Sequence, residues 1–287
     1  MIVIVKRTSR TEILAKLQSK IQRRIPILIS SAGSGLVASL LEKAGADCIN
    51  TFSGARLRGN GMGTMSMLWP ILDSNKQTLD YTEEDIMPAI NGDAFICACI
   101  NANDPLKDMT TVLNRLKGMA VFSVSNIGPS ISYYDKDSQI YKILTSAGIT
   151  FDHEVQMLKL AKEMDMVTVA LAFDLEDSLQ IVEEADPDIF CFHAGTTKGG
   201  LMGYDSGEVI QGTAERTEEV YKEVLKIKPD LIKISHGAAM ETPEEAQYML
   251  NHTSSEGIWT GSSTERIPIE RAVLETATEF AQLRYQE

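Results

Sequence analysis

No apolar run in this 287-residue chain approaches the roughly 20 residues needed to cross a bilayer, so no membrane partner is expected. Clustered basic sequence is missing as well. Lys and Arg number 27 against 40 Asp and Glu, a formal net charge of −13. Phosphate backbones need a basic surface, so nucleic acid is excluded as a partner, and solubility is the ordinary use of such a charge. Cys48, Cys97, Cys99 and Cys191 lie in apolar, strand-like runs without the paired spacing of a zinc site, which predicts free core thiols in a reducing compartment. Met1–Val5 is too short for the apolar region of a secretory signal and is followed at once by Lys6 and Arg7, so the cytoplasm is the expected location. No linker or low-complexity segment divides the chain, and one domain over residues 8–285 is expected.

What the chain does contain is a repeated alternation. A helix from Thr8, with Ile13, Leu14, Leu17 and Ile21 at helical spacing, is stopped by Pro26. Short apolar runs follow at Ile25–Ser30, Asp47–Phe52, Ala94–Ile100, Ala120–Asn126, Met166–Phe173, Pro187–His193, Leu231–Gly237 and Gly257–Gly261, with amphipathic segments between them. Gly45 closes one helix, and Thr242-Pro243-Glu244-Glu245 opens another with three start signals in agreement. Near-continuous apolar strands are covered on both faces, which implies an all-parallel sheet. Eight strand–helix units in a chain of this length predict a closed α/β barrel, a (β/α)8 TIM barrel with a short N-terminal helical extension. The alternative is an open doubly wound sheet, which usually has fewer strands and a glycine fingerprint that Ser31-Ala32-Gly33-Ser34-Gly35 only half resembles.

In such a barrel the site lies at the C-terminal strand ends. The polar residues predicted there are Ser30, Ser31, Arg56, Arg58, Asn101, Asp104, Asn126, Asp174, Glu176, His193, Thr196, Thr197, Lys198, His236, Ser262, Ser263 and Arg266. Cations, hydroxyls and imidazoles converging in this way suit a small, oxygen-rich anion. Gly237-Ala238 and Gly261-Ser262-Ser263 could hold a phosphate or carboxylate on backbone N–H groups, or serve as ordinary turns. His193 and His236, two of four histidines, stand at matching ends of neighbouring strands and could act as acid and base, ligate metal, or simply be hydrogen-bonded near the core. Arg56 and Arg58, in a loop from Ser53 to Gly63 carrying four glycines, could clamp a carboxylate or lie free at the surface. Residues 195–213 form a loop long enough for a lid, with Lys198 its reaching charge. Met62, Met65 and Met67 read as packing, and His153 and His252, on predicted helices, receive no role. Asp104, Asp174 and Glu176 could hold Mg²⁺ through oxygen ligands but form no close acidic pair, and the last two could equally cap the next helix. No cofactor is assigned from these residues.

Several segments together carry a family resemblance: Gly33-Ser34-Gly35-Leu36, Asn50 to Arg56, Asn103-Asp104-Pro105, Asn126-Ile127-Gly128-Pro129, His193 to Gly200, Ser235-His236-Gly237 and Gly261 to Arg266. The chain resembles the phosphoenolpyruvate hydrolase-like family, also labelled a TIM-barrel signal transduction family, from about Thr8 to Tyr285. The resemblance implies kinship with the phosphoenolpyruvate mutase and isocitrate lyase superfamily, and phosphoenolpyruvate or a 2-oxo acid as ligand. That superfamily places an acidic metal-binding pair after the third strand. Here the stretch from Cys97 ends in Asn101-Ala102-Asn103-Asp104, and Asp104 is the only acid in place.

The functional expectation is a hydrolase or C–C/P–O bond enzyme. His193, His236 and Lys198 are its catalytic candidates, with Ser31, Gly33, Arg56, Arg58, Asn126, Thr196, Thr197, Gly237, Ser262, Ser263 and Arg266 binding substrate and Asp104 the metal candidate. A ligand sensor or interaction protein that keeps the pocket without catalysis is the alternative. Self-association into a homo-oligomer is expected because such barrels commonly assemble through outer helices.

Overall fold

Strands that are apolar on both faces need an inner and an outer cover, and closure on themselves supplies the inner one. The computed structural model describes residues 8–285 and shows this closure. The reading of Met1–Val5, Lys6 and Arg7 lies outside the described residues. Eight strands, β1 (Ile27–Ser31), β2 (Cys48–Thr51), β3 (Phe95–Cys99), β4 (Ser123–Ser125), β5 (Val167–Ala172), β6 (Ile189–His193), β7 (Ile232–His236) and β8 (Gly257–Thr260), form a closed barrel in chain order. All pairings are parallel, including that of β8 with β1.

The helices are α1 (Arg10–Gln22), α2 (Gly35–Lys43), α3 (Ser53–Gly59), α4 (Ser74–Tyr81), α5 (Met109–Gly118), α6 (Gln139–Ser146), α7 (Phe151–Glu163), α8 (Leu175–Ala185), α9 (Ile210–Ile227), α10 (Pro243–His252) and α11 (Arg266–Ala281). Their starts follow local chemistry. Ser9 with Glu12 and Thr242 with Glu245 form capping boxes at α1 and α10, and Pro243 occupies the first turn of α10. Among the described residues no helix is long and apolar enough to cross a membrane.

Strand parity decides what faces inward, because successive side chains alternate. Ile27 and Ile29, Cys97 and Cys99, Val167 to Leu171 at odd positions, Ile189 and Cys191, and Ile232 and Ile234 share one interior cluster. Ile13 and Leu17 of α1 join it, so the N-terminal helix plugs the barrel floor. Their even-numbered neighbours Ala98, Val124, Ala170, Phe190 and Phe192 pack outward with α5, α7, α8 and α9.

Three expectations change. The glycine-bearing stretch from Ser53 opens as α3, not as loop; Gly54 is needed there because a Cβ would stand 2.5 Å from the Phe52 ring and 3.0 Å from the Met67 Sδ. Helix α6 was not anticipated. Helix α9 begins at Ile210, so the loop after β6, expected over residues 195–213, covers residues 194–209.

Helix α11 departs from the others. Only Arg266 and Ile267 are buried along it, whereas Val273, Leu274 and Phe280 stand exposed, Phe280 at 70%.

Candidate active site

Period-two alternation carried one step past each strand's core residues brings Ser31, Asn50, Phe52, Ile127, Phe173, His193, His236 and Trp259 to the C-terminal mouth. All eight line one cavity of about 740 Å³, counted with its open mouth. Arg58 of α3, Thr64, Met65 and Met67 form one wall. Gly261, Ser262 and Arg266 form another, and Thr196, Thr197, Met202 and Tyr204 reach over it from the loop after β6.

The two histidines are direct neighbours in the β6–β7 register, with ring centroids 4.4 Å apart and planes at 89°. His193 stacks on Phe173 at 4.3 Å. Its Nδ1 accepts a hydrogen bond from the Gly195 N–H at 3.2 Å, which requires a bare Nδ1 and so places the ring proton on Nε2. His236 is the reverse. Its Nδ1–H donates to the Trp259 carbonyl at 2.6 Å, leaving Nε2 with a lone pair. Both rings are neutral at neutral pH. Burial, with His236 and Arg216 nearby, pushes His193 well below the ordinary value. Burial, with Arg58 nearby, pushes His236 down to about 4 against the pull of the Trp259 carbonyl.

Arg58 and Arg266 are both buried. Arg58 packs over Phe52, donates from Nε to Glu265 at 2.7 Å and from Nη1 to Thr64 at 3.3 Å. Glu265 also accepts the Gly33 N–H at 2.6 Å, tying the turns after β1 and β8 to α3. Arg266 donates to Glu270 at 3.0 Å and to the Gly199 carbonyl at 2.9 Å, while its Nε is buried without a partner. Glu270 accepts the Leu201 N–H at 2.8 Å, and Arg216 holds the Ala194 carbonyl at 2.7 Å. The loop is thereby pinned at Ala194 and again at Gly199–Leu201. Gly200, with φ 66°, passes so close to the ends of Arg266 and Glu270 that a side chain there would be strained and would displace them.

The structure thus brings together Ser31, Arg58, His193, Thr196, Thr197, His236, Ser262 and Arg266. The remaining candidates do not line the cavity. Arg56 turns to Asp85 at 2.8 Å and to the Gly33 carbonyl, because α3 carries it to a different face from Arg58. Gly33 spends its N–H on Glu265. Asn126 is consumed by the backbone of Leu171 and by Glu154, a buried carboxyl that burial raises to about 8. Lys198 lies 3.5 Å from Glu245, outside the cavity wall. Gly237, at φ 85°, lets the loops after β6 and β7 meet, and the adjoining Ala238 N–H is taken by the Gly195 carbonyl at 2.8 Å. Ser263 sits on the same turn as Ser262 but is not among the lining residues. Asp174 caps α8 by accepting from the Asp177 N–H, and Glu176 pairs with Lys136 at 3.0 Å.

The Mg²⁺ that the family resemblance implies does not fit this donor set. Asp104 accepts from Asn75 at 3.1 Å and from the Leu106 N–H at 3.0 Å, off the cavity. No lining residue carries a carboxylate, and two guanidiniums face the space a dication would need. Among the described residues no group of three or more His, Cys, Asp and Glu converges as a metal site.

Asn50, Phe52, Thr64, Trp259 and the counter-ion Glu265 were not assigned from sequence. Parity along the strands could have found the strand residues. A ladder through Ser31 links two of them: Trp259 Nε1–H donates to Ser31 and the Ser31 hydroxyl to Asn50, each at 3.1 Å.

The family model for phosphoenolpyruvate hydrolase-like proteins matches residues 12–283. The chain is 29% identical over 272 residues to the ToMV resistance protein Tm-1(GCR237) of Solanum lycopersicum, covering 94% of this chain and 35% of that protein's length. It thus spans about a third of that relative. Among solved structures it resembles a phosphoenolpyruvate phosphomutase from Streptomyces platensis subsp. rosaceus (TM-score 0.61, 15% identity, 94% of this chain and 87% of that one). A second is phosphonopyruvate hydrolase in complex with oxalate and Mg²⁺ (TM-score 0.55, 15% identity, 94% and 86%). These two share the fold. The family match covers nearly the whole barrel, and the chain belongs to the phosphoenolpyruvate hydrolase-like family.

Proposed function

We propose that the chain is an enzyme acting on phosphoenolpyruvate or a related small 2-oxo acid, as a hydrolase or a C–C/P–O bond enzyme, at the C-terminal mouth of the barrel. One observation carries this reading: two buried guanidiniums and two neutral imidazoles surround a single cavity whose lining has no carboxylate. Arg58, Arg266 and the hydroxyls of Ser262 and Thr64 hold the anion's oxygens. The imidazoles handle protons, and the loop at residues 194–209 excludes water. Family membership and the oxalate-bound neighbour support the ligand class.

Asp104, tied to Asn75 and its own turn, favours a second reading, a sensor that binds the same acids without converting them. Thermal unfolding with phosphoenolpyruvate, pyruvate and oxaloacetate, each followed by product detection, separates the two. The enzyme reading expects a raised Tm and product. A raised Tm without product selects the sensor, and no shift with any acid rejects both.

Helix α11 supports the homo-oligomer expectation. A projecting helix with exposed Val273, Leu274 and Phe280 suits a second copy of the chain, and α2, beside the β8–β1 seam by topology, exposes Leu36 and Leu40. Light scattering should give a mass above 31.6 kDa for the native chain and the monomer mass for a Val273→Asp, Phe280→Asp variant. A native monomer rejects the assignment.

A further inference from the structure

Two histidines in one cavity are common; two whose backbone contacts force opposite tautomers are more specific. His193 Nδ1 is committed to accepting from Gly195 and His236 Nδ1 to donating to Trp259. The edges left over are an N–H on His193 and a lone pair on His236, on rings 4.4 Å apart. Neither Nε2 is bonded to another protein group among the described residues, and neither is sealed off as a buried orphan. A hydrogen-bond donor beside a base suits a carbonyl with an acidic C–H on the adjacent carbon.

We propose that this pair enolises a 2-oxo acid without a metal ion, His236 Nε2 removing a C3 proton while His193 Nε2–H donates a hydrogen bond to the C2 carbonyl oxygen. This rests on the reading of the cavity as a 2-oxo acid site. The C3–H electron pair becomes the C2=C3 π bond, the C2=O π pair moves onto oxygen, and the proton resides on His236 as imidazolium. Return of a proton, or of deuterium from D₂O, to C3 restores the ketone. His193 stays neutral throughout, because a neutral imidazole can polarise a carbonyl by donation alone. Arg58, close to His236, and Arg266 hold the acid's carboxylate and the enolate charge, the task a metal would otherwise perform. The missing carboxylate cluster is then in keeping with the chemistry.

The test follows loss of the pyruvate methyl proton signal in D₂O with the full chain and excess EDTA, while calorimetry records pyruvate binding separately. Exchange above the buffer rate, unchanged by EDTA, is expected. Removing a positioned base typically costs about 10²–10⁴ in rate, so His236→Gln should fall by that factor. His193→Phe, which keeps the ring against Phe173, should lower the saturating rate while leaving the half-saturating concentration nearly unchanged. With His236 near 4 and flanked by His193 and Arg58, the exchange rate should hold from pH 8 to about 5 and fall below that, without a limb at 6.5. Exchange abolished by EDTA and restored by Mg²⁺, or wild-type exchange in folded His236→Gln, overturns the proposal. Binding without exchange overturns it and leaves the site reading standing. Absence of binding removes both.

Discussion

Replacing Glu265 by Leu is expected to destabilise the protein by about 3–5 kcal/mol, the usual loss when one partner of a buried ion pair is removed. Arg58 and Glu265 have side chains only 2% and 5% exposed. Without the carboxylate, Arg58 would remain as a buried charge against Phe52, with only Thr64 as a polar partner. The Gly33 N–H would also lose its acceptor. A compensating variant separates the two costs. Arg58→Leu combined with Glu265→Leu should recover most of the loss, since an apolar pair of similar volume often replaces a buried ion pair at little cost. Urea midpoints of the three proteins report this directly. A Glu265→Leu variant as stable as the native chain contradicts the assignment of Glu265 as the counter-ion.

Arg266→Met is expected to weaken binding of a 2-oxo acid by about 30-fold or more, because removing one partner of a buried, charge-assisted contact costs about 2–5 kcal/mol. Arg266 is chosen because it lines the cavity as one of its two buried cations, so its loss leaves a bound carboxylate with one charged donor fewer. The same substitution frees the Gly199 carbonyl, so part of the loss arises from the loop over the cavity. Calorimetry on the folded variant measures the loss. Equal affinity for the native chain and Arg266→Met removes Arg266 from the site.

The barrel was legible in the chain because every strand announces itself by an apolar run and every turn by glycine or a helix start. The site was legible only where chemistry sits in the strand-end residues themselves. His193 and His236 are visible because each follows two inward-facing apolar residues at the right parity. Arg56 and Arg58 looked equivalent as a spaced pair in a loop. They part because Ser53–Gly59 is helical, which turns one guanidinium to Asp85 and the other to Glu265. No local signal links Arg58 to a carboxylate 207 positions away. Gly237 looked like a phosphate turn, yet the neighbouring amide is spent on the Gly195 carbonyl, a contact that exists only once β6 and β7 lie side by side. Glycine thus marked tight packing against side chains at Gly54 and Gly200 and close backbone approach at Gly237, where sequence suggested a loop or anion binding.

The central claim is that the His193–His236 pair performs proton chemistry on a small anion. Its most direct measurement is turnover of the best-binding acid by the native chain, His193→Ala and His236→Ala. A loss of about 10²–10⁴ in rate for His236→Ala, with acid binding retained, is the predicted result. Full turnover in both variants would contradict it.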